Sequence, residues 1–101
     1  MAEAVIAIGG YIAMLEHSDA PQRLKALREL KQADLATLAE HADAVASRLE
    51  DSDRRVREKA LETLGNLEPA ALAQHAGAVV ARLEDSDVDV CYKALCTLGK
   101  L

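Results

Sequence analysis

Between Leu38 and Leu67 the apolar positions keep helical step twice, with a polar string between the two runs. Leu38, Ala42, Val45 and Leu49 recur at steps of four, three and four, and Val56, Ala60, Leu64 and Leu67 at steps of four, four and three. Either set falls on one face of a helix, so the spacing predicts a helix, the turn LEDSD and a second helix. Asp53 stands where an N-cap would satisfy the first free amides of the second helix, and Asp34 could do the same for the first.

The same pattern returns further along. Residues 34–67 and 68–101 align without gaps and share 21 of 34 positions, including the turn LEDSD, now Leu83 to Asp87. Residues 1–33 laid against residues 35–67 match at ten positions, nine of them between Leu15 and Leu30. We read a single domain, 1–101, built of three units at 1–33, 34–67 and 68–101. In the third, Asp87 takes the N-cap position and Pro69 the opening of the first helix. A lone helix pair has too little apolar surface to fold by itself, so units that repeat are expected to stack and share a core. The expected fold is all-α, an α-solenoid of three stacked antiparallel helix pairs with a 34-residue period.

The residues of the turn and second helix carry a resemblance. The string DSDRRVREKALETLG, Asp51 to Gly65, resembles the Asp-x-x-Val-Arg segment of HEAT repeats, the armadillo-like α-solenoids, and above all the short variety found in phycobilisome-lyase-type HEAT proteins. Asp53, Val56 and Arg57 match that motif. In the third unit Asp87 and Val90 match, but Cys91 replaces the arginine; in the first, Asp19 and Arg23 match and Gln22 replaces the valine. The 34-residue period is also that of tetratricopeptide repeats. Their pattern wants large aromatics on the first helix, and this chain has two Tyr, no Phe and no Trp.

The resemblance implies that the second helices line a concave face and that the chain is a non-enzymatic scaffold or adaptor binding a protein or peptide there. It also leaves a regulatory or maturation partner of an enzyme, or a purely structural segment of a longer array. In HEAT proteins the motif arginine ladders with turn aspartates of neighbouring units, which offers Arg23 and Arg57 to Asp51, Asp53, Asp85 or Asp87. Opposite the Ala60 and Leu64 stripe the second helix carries Arg55, Glu58, Glu62 and Asn66, flanked by Lys59. Translation by one unit gives the columns Lys25, Lys59 and Lys93; Leu24, Glu58 and Tyr92; and Arg28, Glu62 and Cys96. The candidate partner face is therefore Lys25, Arg28, Arg55, Lys59, Glu62, Tyr92 and Lys93, a lysine column suited to an acidic peptide with Tyr92 as an anchor.

Composition trims the alternatives. Seventeen acidic against twelve basic residues give a net charge of −5, which gives phosphate-backbone contact no general support, so no nucleic acid is expected. The uncharged apolar run Ala4 to Leu15 is short of a membrane span and lacks the basic flank of a signal peptide, so the expectation is a soluble protein of the cytoplasm or nucleus without a membrane partner. Cys91 and Cys96 are spaced to lie on different faces of one helix, and free thiols fit that compartment.

No cofactor, metal or catalytic set is expected. His41 and His75 occupy one repeat position, so duplication explains them. Some HEAT-like hydroxylases hold iron with His-Glu dipeptides, but the order here is Glu16-His17 and Glu40-His41, with Gln74-His75 in the third unit. Gly9 and Gly10 lie in an apolar helical run as packing or kink positions. Ile6 and Met14 stand where the second unit has Glu40 and Arg48, and the helix ending near Leu101 has no cap. Apolar surface at both ends leads us to expect self-association or continuation into a longer array.

Overall fold

The computed structural model describes the backbone of residues 2–101 and side chains from Ile8 onward. Among the described residues every regular element is helical: α1 (Ala2–Met14), α2 (Ala20–Lys31), α3 (Leu35–Glu40), α4 (Ala42–Ser47), α5 (Arg54–Leu64), α6 (Pro69–Ala73), α7 (Ala76–Ala81) and α8 (Val88–Leu98), with single 3-10 turns at Arg48–Glu50 and Arg82–Glu84. No helix among them is long and apolar enough to cross a membrane.

The caps fall where the sequence places them. Asp53 accepts from the amides of Arg55 and Val56, Asp87 from those of Asp89 and Val90, and Asp34 from that of Thr37 at 2.8 Å. Each fills one or two of the amides that an opening helix turn leaves unpaired. Pro69 opens α6 and Pro21 lies in the first turn of α2, where a missing N–H costs nothing.

The first helix of the second and third units is not continuous. It breaks at His41 and again at His75, residues with nearly the same backbone angles, φ −112°, ψ 14° and φ −111°, ψ 10°. The histidine amide closes a tight turn on the carbonyl three residues back, Leu38 or Leu72, and its own carbonyl takes the amide of Val45 or Val79 to start the next helix. One helix therefore becomes α3 plus α4, or α6 plus α7. The apolar stripe survives the break, since Leu38, Val45 and Leu49 are fully buried and Ala42 nearly so.

The core runs without interruption from Leu15 to Ala94. α1 packs on α2, α2 on α5 and α5 on α8, while α4 and α7 lie against α5 and α8 respectively. The Cα envelope measures 40 × 31 × 16 Å. In α5, Val56, Ala60, Leu61 and Leu64 are all withdrawn from solvent, because the helix is packed against α2, α4 and α8 at once. Gly9 and Gly10 need no close packing: a Cβ at either would meet nothing within 4 Å. The side chain of Ile6 lies outside the described residues, and Met14 packs against the core, half-buried.

Candidate interaction surface

The turns between units are held by arginines reaching 28 residues forward. Arg23 donates from Nε to Asp51 Oδ2 at 2.8 Å and from Nη2 to Asp51 Oδ1 at 2.9 Å. Arg57 repeats this on Asp85 at 2.9 and 3.0 Å. Of the four aspartates offered by the sequence, the two that open the DSD turn are used, and Asp53 and Asp87 are left to cap. Each gripped carboxylate also organises its own turn, accepting the amide of Asp53 or Asp87 at 2.9 or 3.0 Å. In the first unit His17 Nδ1 accepts the amide of Asp19 at 3.0 Å and takes over that duty. The bond to Asp51 holds the Arg23 guanidinium above its ordinary value; burial pushes Asp85 up, and the Arg57 bond and the Asp87 amide outweigh it and hold the carboxyl low.

Cys91 keeps half of this arrangement. Arg23 and Arg57 each also donate to a carbonyl of their own turn, His17 O and Asp51 O, both at 2.8 Å. The Cys91 thiol makes the equivalent bond to Asp85 O at 3.0 Å, and its side chain has no second arm.

Two threonines join the second helices directly, at positions the apolar spacing does not mark. Thr63 Oγ1 donates to Lys59 O at 2.8 Å and leans on Leu27 O at 3.4 Å; Thr97 Oγ1 lies 2.9 Å from Lys93 O and 3.1 Å from Leu61 O. A hydroxyl repeated at a buried apolar position was the available signal, because such a group has to find an acceptor.

On the outward side of α2, α5 and α8 the lysine column is unequal. Lys59 Nζ lies 2.7 Å from Glu62 Oε2, Lys93 Nζ 3.1 Å from Glu62 Oε1, and Lys31 Nζ 3.5 Å from Glu62 Oε2. One carboxylate thus gathers three ammonium groups from three helices or their ends. Burial pushes Glu62 up, but the bonds and charges of Lys59 and Lys93 outweigh it and hold the carboxyl at about 2. The bond to Glu62 raises Lys93 in turn. Lys25 and Arg28 are exposed and make no ion pair among the described residues. Arg55 is occupied locally by Asp53 at 3.1 Å, and the two shift each other's titration, Arg55 upward and Asp53 downward.

Between α5 and α8 a shallow depression of about 240 Å³ is lined by Lys31, Glu62, Lys93, Cys96 and Lys100 among others. Tyr92, 65% exposed on α8, is not among the residues that line this depression. The repeat-motif residues lie elsewhere: Val56 and Val90 are buried in the core, while Asp19, Asp53 and Asp87 sit at helix starts. His41 and His75 mark the breaks in the first helices, with His75 Nε2 3.6 Å from Asp43. Among the described residues no group of three or more His, Cys, Asp or Glu side chains is placed to hold a metal ion. No family model matches the chain, and no curated protein matches it.

Proposed function

We propose that the chain is a HEAT-like α-solenoid of three stacked antiparallel helix pairs and works as a protein-binding scaffold or adaptor, holding an acidic peptide segment of its partner along α2, α5 and α8. The observation that carries the reading is the cationic excess on that outward surface. Lys31, Lys59 and Lys93 share one carboxylate, and Lys25, Arg28 and Lys100 stand exposed beside them in a protein whose net charge is −5. Segregated charge of this kind steers and orients an oppositely charged partner. Tyr92 adds an amphipathic ring of the type that anchors interfaces. The stacking half of the proposal draws on the paired bridges Arg23–Asp51 and Arg57–Asp85, which recur at the same 28-residue offset.

The test is affinity capture from native lysate with the wild-type chain and with a Lys25→Glu, Arg28→Glu double variant. These two side chains are chosen because they are exposed, so reversing them leaves the Glu62 cluster and the fold intact. The partner recovered by the wild type should be lost by the variant, and an unchanged set of captured proteins contradicts the reading.

A further inference from the structure

Seven large hydrophobic side chains stand exposed among the described residues, and six of them lie beyond residue 79: Val80, Leu83, Val88, Tyr92, Leu95 and Leu101. Four positions of α8 and its cap, Val88, Tyr92, Leu95 and Gly99, are spaced four, three and four apart, so they form one stripe at 100° per residue. The stripe is the counterpart of the side of α5 that meets α8. There the equivalent residues are Arg54, Glu58, Leu61 and Gly65, and Leu61 is fully buried where Leu95 is 61% exposed.

The change of residue type says what does not cover this face. On α5 the contact is built partly from cations, Arg54 Nη1 at 3.6 Å from Asp87 and Arg57 gripping Asp85. On α8 those positions hold Val88 and Cys91, and Glu58 has become Tyr92. Nothing there can grip the turn aspartate of another unit of the same kind, and what remains is apolar. A stripe at alternating four- and three-residue steps suits close packing against another helix at a shallow crossing angle.

The flanks identify that helix. Asp89, 67% exposed and only loosely held by Arg54 Nη1 at 3.9 Å, stands at the N-terminal end of the stripe. Lys100 stands exposed at its C-terminal end with its stem beside Gly65, and both lie on the same side of the stripe at 100° per residue. A second α8 laid antiparallel across a twofold axis brings each Asp89 to the Lys100 of the other copy and Tyr92 opposite Leu95. Parallel packing would leave the equivalent charges on opposite edges of the contact at each end, with no opposite charge at the same level.

We propose that two copies of this chain dimerise through α8, antiparallel and isologous, with Val80 and Leu83 widening the contact at its edge. This face leaves Lys25 and Arg28 free; it shares Lys100 with the partner surface, but its apolar stripe does not depend on the partner-binding reading. Tyr92 is drawn into the dimer.

Sedimentation equilibrium of the full chain up to about 200 μM, near the weak end of specific association, tests the proposal. The wild type should reach twice the mass of one chain, and the Lys25→Glu, Arg28→Glu variant should do the same. Leu95→Glu and Val88→Glu should each weaken association by at least about tenfold, with the far-UV circular dichroism unchanged. Asp89→Lys and Lys100→Asp should each weaken it, and the double reversal should restore it. A chain that stays monomeric, a dimer indifferent to Leu95→Glu, or a double reversal without rescue overturns the proposal.

Discussion

Arg23 and Asp51 form a two-point bridge, 2.8 and 2.9 Å, in which the side chains retain only 9% and 2% of their exposure. A planar guanidinium matches a carboxylate in this geometry as an ammonium cannot. Because the pair is desolvated, removing Arg23 leaves Asp51 buried with only the Asp53 amide at 2.9 Å and Arg48 Nη1 at 3.4 Å. Arg23→Ala should therefore cost about 3 kcal/mol in urea unfolding. A double-mutant cycle with Asp51→Ala should give a coupling of about 1–3 kcal/mol; a coupling near zero would mean that the bridge does not join the units.

Leu61 and Leu95 are the same residue at the same repeat position, fully buried and 61% exposed. Leu61→Ala should cost about 3 kcal/mol because it opens a cavity between α5 and α8. Leu95→Ala, measured on dilute protein, should stay within about 0.5 kcal/mol. Equal losses would show that α8 is covered in the single chain.

Much of this was legible in the chain, for local reasons. Asp34, Asp53 and Asp87 announce helix starts because a cap is a contact within three residues. Leu38, Ala42, Val45 and Leu49 announce burial because periodicity is a property of one segment. The break at His41 escaped the same reading: a kink leaves the apolar spacing intact, and neither Gly nor Pro marks the place. The Glu62 cluster escaped it too. A column of lysines read down equivalent positions implies equivalent surroundings, yet Glu62 replaces Arg28 and Cys96 in its own column, so Lys59 and Lys93 find a carboxylate and Lys25 does not.

Glu62 should leave a signature in acid. Its carboxyl titrates at about 2 in the folded chain against 4.5 for an ordinary glutamate, so the folded form favours the charged state. A lowered carboxylate stabilises fully above the unfolded value and loses that contribution as pH falls from 4.5 toward 2. Discounted for the solvent that still reaches the side chain, the loss should be roughly 1–2 kcal/mol. Thermal unfolding across that range, wild type against Glu62→Gln, should show a smaller drop in the variant.

Cys91→Arg should change little. An arginine there could reach Asp85 O as Arg57 reaches Asp51 O, but among the described residues no further turn follows to offer its outer arm a carboxylate. The melting temperature should move by no more than about 2 °C, and a rise well above that would indicate a carboxylate placed to receive it.

Hydrogen exchange on the chain, free and loaded with its captured partner, tests the central claim most directly. Partner binding along the outward surface should add amide protection in α2, α5 and α8 and leave α3, α4, α6 and α7 unchanged. Protection confined to those four shorter helices would place the partner on the opposite side and contradict the account.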